Sequence, residues 1–205
     1  MVERSLEQKV CDRLLLLRLI KEISPLDAYK LQKLPFRLEY ELHKEGRRIF
    51  NYEFFQYDQG PLSVEVYADR DFLEEQSLIS VDGYTVQITQ KGEEFLSEFK
   101  SVLDKNRPIV QKLVEVAKRF SKKDSFELIK DTHELIVEHR GKPTRLKDLP
   151  KLATILGRPD RSSLEVDTST LETLIVCFHH EFIDNLRKAR REGSTSSPYK
   201  PLLTA

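Results

Sequence analysis

Ser80-Val81-Asp82-Gly83-Tyr84-Thr85-Val86-Gln87-Ile88-Thr89-Gln90-Lys91 is the stretch on which the fold turns. Tyr84, Val86 and Ile88 alternate with Thr85, Gln87 and Thr89. That period of two sends successive side chains to opposite faces of a strand. Asp82-Gly83 precedes them, and Asp-Gly is a pair that tight hairpin turns favour, because glycine takes positive φ without strain. Lys91-Gly92 closes the hairpin, and a helical pattern resumes over 93–104 through Phe95, Phe99 and Leu103.

Upstream, Leu6, Val10, Leu14, Leu17 and Ile20 recur at spacings of three and four, which predicts a helix over 5–23. Ser24-Pro25 ends it, since the residue before proline is pushed out of the α region. A second helix is expected over 26–44, with Ala28, Leu31, Leu38 and Leu42 on one face and a kink or break at Pro35. Residues 50–57, FNYEFFQY, read as a short buried strand. Asp58-Gln59-Gly60-Pro61 turns the chain, with Pro61 suited to the first turn of a following helix. Residues 62–67 and 69–78 then read as a short and a longer helix.

Downstream, Asn106-Arg107-Pro108 is the best candidate boundary. Helices are predicted over 109–120 and 125–139, and a loop-rich stretch over 140–168 with room for a short helix near 150–156. A final helix over 170–191 begins at the capping box Ser169-x-x-Glu172. The fold class is therefore mainly α with a small antiparallel hairpin or sheet. A winged-helix-like N-terminal domain is expected over 1–105, a helical C-terminal region over 106–192 and a flexible tail over 193–205.

Several segments carry a family pattern. Lys30-Leu31-Gln32-Lys33-Leu34-Pro35-Phe36 resembles the KLQKLxF segment of the Panacea family, and Phe55-Gln56-Tyr57-Asp58-Gln59-Gly60-Pro61-Leu62-Ser63 resembles its segment around Gly-Pro-x-Ser. Val66-Tyr67-x-Asp69 and Thr89-Gln90-Lys91-Gly92 fall at similar positions. The resemblance covers roughly residues 8–100. It implies a compact winged-helix-like domain that acts by binding proteins, as an antitoxin-like protein or a protease adaptor. Read from the residues alone, Gly60-Pro61 is a strand-to-helix turn, and Gln32 and Lys33 are exposed helix surface. Tyr57 and Tyr67 are expected to pack over that turn.

No enzymatic chemistry is legible, and no cofactor is expected. The chain holds no GxGxxG, GxxxxGK[ST] or GxSxG, and its 7 glycines are scattered too widely to cradle a phosphate. His133, Glu134, Glu138 and His139 invite a metal reading, but two histidines six apart point to different sides of a helix, whereas HExxH places them four apart on one face. His179 and His180 are adjacent and diverge as well. Cys11 and Cys177 form no CxxC and read as buried thiols in a reducing compartment. The N-terminus lacks the pattern of a signal peptide, and the longest apolar run, Leu14 to Leu17, is far below the ~18 residues that read as a membrane span. A soluble, cytoplasmic protein with no membrane partner is expected.

Charge discriminates between the remaining functions. Lys+Arg and Asp+Glu both number 34, a formal balance of zero. Residues 26–100 nevertheless hold 15 acidic against 9 basic side chains. The helix ahead of the hairpin bears Asp69, Asp71, Glu74 and Glu75 against Arg70 alone, and the hairpin tip adds Asp82. Phosphate neutralisation dominates DNA affinity, so this face repels a duplex. It suits a basic protein partner, with Tyr57, Tyr67 and Tyr84 as candidate aromatic anchors. Two basic clusters compensate: Lys118, Arg119, Lys122 and Lys123, and Arg187, Lys188, Arg190 and Arg191. The second supports the alternative reading of a transcription regulator that binds nucleic acid through its last helix, as a possible homodimer. For both clusters, helix-end cations that complement the dipole are the simpler account.

Overall fold

The computed structural model describes residues 3–159 and 164–178. The first helix, α1 (Leu6–Ile23), is its axis. Ser5 and Gln8 form a full capping box, and the four consecutive leucines 14–17 are all buried, together with Leu19 and Ile20. A helix apolar on every side belongs inside a molecule, not on its surface. Each buried leucine contributes about 2 kcal/mol of transfer free energy.

A two-residue strand, β1 (Leu26–Asp27), follows, and its Asp27 carboxylate then caps α2 (Ala28–His43) by accepting from the Tyr29 N–H. Pro35 lies inside α2, which runs on through it, so the chain does not break there. Leu31, Leu34, Phe36, Leu38 and Leu42 are buried around it. Their burial outweighs the ~3 kcal/mol that a proline costs in a helix interior. The Glu39 carboxylate, fully buried on α2, then fixes the next loop by accepting from the N–H groups of Ile49 and Phe50, each at 2.7 Å.

β2 (Phe54–Tyr57) and β3 (Gly60–Leu62) form a hairpin in which Gln56 opposes Pro61. Gly60-Pro61 is therefore strand, not a turn leading into a helix. One helix, α3 (Val64–Glu75), replaces the two expected across this region. β4 (Ile79–Asp82) and β5 (Thr85–Ile88) pair as read from the sequence, but the turn is Gly83-Tyr84. Tyr84 thus leaves the strand and becomes the tip. β1 joins the other edge of β5, giving the order β1-β5-β4.

α4 (Gln90–Glu98) starts earlier than expected, capped by Thr89, and α5 (Lys100–Lys105) runs almost directly into α6 (Arg107–Ser121). Leu113, Val116, Ala117 and Phe120 of α6 belong to the same buried cluster as α1, so the core continues across Asn106. The Asn106 side chain is itself buried, donating to Val102 O and Glu165 O and accepting from Glu165 N–H.

The second half departs most from the sequence reading. α7 (Ser125–His133) stops short of 139. β6 (Ile136–His139) and β7 (Lys142–Arg145) instead make a hairpin, whose turn residues Arg140 and Gly141 both take positive φ, as a primed turn requires. A 3-10 turn over Leu146–Asp148 leads to β8 (Thr154–Leu156), which pairs with β2 where a short helix was expected. The second sheet has the order β3-β2-β8. α8 (Thr168–Phe178) starts two residues earlier than predicted. Asp167, not Ser169, supports its first turn by accepting from the Thr170 N–H at 2.9 Å. The architecture is mainly α with three small antiparallel sheets. Among the described residues, no helix is long and apolar enough to cross a membrane.

Candidate protein-interaction face

α3 presents two chemistries on one helix. Val66, Asp69 and Leu73 share its buried side, while Asp71, Glu74 and Glu75 are exposed. At 100° per residue, Asp69 and Asp71 fall on nearly opposite sides.

The inner side holds a buried ion network. Arg4 donates to Asp69 Oδ2 at 2.7 Å and to Asp12 Oδ2 at 2.8 Å. Arg13 donates to Asp69 Oδ1 at 3.0 Å, and the Tyr52 hydroxyl to Asp69 Oδ2 at 3.0 Å. Asn51 closes on Asp12 Oδ1 through its backbone and side-chain N–H groups, both at 2.9 Å. Asp12 and Asp69 are wholly buried. Burial pushes the Asp12 carboxyl up to about 7, with Arg4 pulling down and Asp69 adding to the rise. Asp69 was expected among the partner-facing acids. The structure corrects this: its oxygens are engaged within the core.

The segments that carry the family resemblance also meet inside. The Gln32 side chain donates to Ser63 O at 3.0 Å and accepts from Ser63 N–H at 3.1 Å. Lys33 donates to Pro61 O at 2.9 Å. Both side chains are buried, not exposed helix surface as expected, and burial lowers the Lys33 ammonium to about 8. Together they clamp the β3–α3 junction onto α2. Gly60 has φ +84°, and a Cβ there would lie 2.9 Å from the His133 imidazole, which suits glycine on both counts.

The outer side gathers most of the remaining candidates. Asp71, Glu74 and Glu75 are exposed on α3, and Asp82 is exposed at the end of β4. Tyr84 is 70% exposed at the hairpin tip. Its ring stacks on that of Tyr29, 45% exposed in the first turn of α2, with centroids 6.0 Å apart and planes inclined by 14°. Tyr67, half-buried on α3, lies under the Arg70 guanidinium at 5.0 Å, and Arg70 in turn donates to Asp71 at 2.8 Å. Burial raises the Tyr67 hydroxyl, Arg70 opposes this, and the nearby Tyr29 adds to it. Tyr29 thus joins Tyr84 to Tyr67. Sequence reading missed it because one tyrosine beside a helix start has no distinctive spacing.

Tyr57 belongs elsewhere. It lies on β2 in the other sheet, with Lys151 Nζ 4.3 Å from its ring centre, and Lys151 donates to Asp58 at 2.9 Å. It does not join the group at the β4–β5 hairpin.

The first basic cluster is largely engaged within the molecule. Arg119 pairs with Glu41 at 2.8 Å, Lys118 with Glu22 at 3.8 Å, and Lys123 with Asp131. Arg187, Lys188, Arg190, Arg191, His179, His180 and the tail 193–205 lie outside the described residues. His133 ends α7 and His139 is on β6, so the helical spacing considered for them does not apply. Among the described residues, no cluster of three or more His, Cys, Asp or Glu is placed to hold a metal. Cys11 is buried and Cys177 half-buried, with no disulfide between them, and burial raises the Cys177 thiol.

No family model, no curated protein and no solved structure matches this chain.

Proposed function

We propose that this protein is a non-enzymatic interaction module that binds a basic partner protein through the outer face of α3 and the adjoining β4–β5 hairpin. The observation that carries the reading is the exposed Tyr29–Tyr84 stack at the hairpin tip, together with exposed carboxylates at Asp82 on the same hairpin and at Asp71, Glu74 and Glu75 on α3, where Arg70 lies over Tyr67. Exposed aromatic anchors beside charge of one sign favour docking of an oppositely charged surface. The order of α2, α3 and the β4–β5 hairpin supports a winged-helix-like reading of this part of the chain. In that reading the helix ahead of the wing is acidic, which disfavours a duplex. The resemblance to the Panacea family supports an antitoxin-like or adaptor role, with the partner encoded by an adjacent gene.

Isothermal titration of the protein against the product of each neighbouring gene tests this. A saturable complex that weakens on reversing Glu74 and Glu75 to lysine is expected. Heat-silent titrations with every neighbour, or a complex indifferent to the reversal, would overturn the reading.

A further inference from the structure

The partner's chemistry can be narrowed from how this chain treats its own tyrosines. Of the six described tyrosines, four have a cation of the same chain over the ring: Lys44 over Tyr40, Arg4 over Tyr52, Lys151 over Tyr57 and Arg70 over Tyr67. In three of these a carboxylate completes the arrangement. Arg4 bonds Asp69, Lys151 bonds Asp58, and Arg70 bonds Asp71. The chain thus repeats one unit: a ring, a cation upon it and a carboxylate holding the cation in place.

Tyr29 and Tyr84 have the ring, and each has an aspartate two residues before it in sequence. Asp82 stands two residues before Tyr84 and is exposed, and Asp27 stands two residues before Tyr29. Among the described residues neither ring has a cation over it, and the stacking contact of each is with the other. They are also the two most exposed of the six. Lys30, the cation nearest in sequence, is directed away and donates to Ser121 O at 2.9 Å.

We infer that an arginine side chain of the partner protein completes this unit, its guanidinium lying on the Tyr29–Tyr84 stack and bonding to Asp82. The inference rests on reading the face as a docking surface and adds which cation it selects. Arginine fits better than lysine for three reasons. Its planar group stacks on a planar pair, it sheds water more readily than an ammonium, and its fork of N–H donors reaches a carboxylate without leaving the ring. The nearest precedent in this molecule, beside the proposed contact, is itself an arginine: Arg70 between Tyr67 and Asp71.

The test compares two blocked pentapeptides of equal charge, Gly-Arg-Gly-Arg-Gly and Gly-Lys-Gly-Lys-Gly, followed by NMR on the Tyr29 and Tyr84 ring signals of the full chain. The arginine peptide is expected to shift both rings and to bind roughly three- to tenfold more tightly. Tyr84→Leu, which keeps apolar bulk without the π face, is expected to erase that preference, and Asp82→Asn to weaken both peptides. Equal affinities, a preference that survives Tyr84→Leu, or no ring shift at millimolar peptide would each overturn the inference. If both peptides bind equally and both are lost on reversing Glu74 and Glu75, the docking face stands and the arginine claim alone fails. If binding to the neighbouring gene's product ignores the same reversal, the docking reading itself fails.

Discussion

On the inner side of α3, Asp69 receives Arg4, Arg13 and Tyr52 in a space closed to solvent. Two residues further, on the outer side, Asp71 is exposed and meets Arg70 beside it in sequence. The same side-chain type therefore does two kinds of work on one helix. Inside, charge is consumed in tying α1, α3 and the 51–52 strand entrance together. Outside, charge is left in solvent. A count of acidic residues along α3 merges these two populations, and only the geometry separates them.

The largest expected effect attacks the inner side. Asp69→Ala leaves Arg4 and Arg13 buried beside a missing partner, and a loss of about 3–5 kcal/mol is expected in urea denaturation. Asp71→Ala on the outer side should cost less than about 1 kcal/mol. Similar losses from the two variants would break the comparison.

The scaffold that presents the outer side is nearly as sensitive. A Cβ on Gly92 would lie 2.1 Å from the Leu78 carbonyl oxygen, a backbone atom that cannot swing aside. Gly92→Ala should therefore cost roughly 1–3 kcal/mol and shift the amide signals of β4 and β5. An unperturbed variant would mean that α4 and the hairpin are less tightly coupled than the Gly92–Leu78 contact implies.

The inner network also has a pH signature. The Asp12 carboxyl is raised to about 7 in the folded state, against about 3.9 for an unfolded aspartate. Between these values the folded chain binds more protons than the unfolded one, so stability falls as pH rises. The stabilisation from protonated Asp12 is complete below about pH 4 and lost as pH passes 7. Asp12→Asn should flatten that slope in denaturation midpoints taken from pH 4 to 8. Lys33, lowered to about 8, acts at the other end of the scale. Between pH 8 and its unfolded value near 10.4, the unfolded chain binds the extra proton, so stability rises with pH there.

The smallest effect concerns the exit of α3. Ser77 takes φ +57°, a left-handed position at the helix end that glycine fills without strain. Ser77→Gly should raise stability by about 1 kcal/mol and leave binding unchanged.

The residues that spoke clearly in the sequence are those with a period to read. The leucines of α1, the alternation through Val86 and Ile88, and the spacing of Leu113, Val116 and Phe120 all mark elements that the structure contains. β8 was missed because three residues are too few to show an alternation, and β6 and β7 because they are four residues long and largely exposed, so no apolar alternation marks them. The Arg140-Gly141 turn was their only local signal. Gln32 and Lys33 were misplaced because polar type predicts exposure, whereas two carbonyls and an amide of the 61–63 backbone make burial tolerable. Of the candidate site, Asp71, Glu74, Glu75, Asp82 and Tyr84 were correctly exposed, and Tyr67 lies beside them. Asp69 failed by about half a turn of helical phase, Tyr57 by belonging to another sheet, and Tyr29 emerged only through a contact across 55 residues of chain.

The central claim is that binding resides on the outer side of α3 and folding on the inner side. Its most direct test is isothermal titration of Asp71→Lys/Glu74→Lys/Glu75→Lys against the neighbouring gene's product that binds the unaltered protein. Three reversed charges at a complementary interface should lower affinity at least about 30-fold, while the urea midpoint stays near that of the parent. Unchanged affinity in the folded variant would contradict the claim.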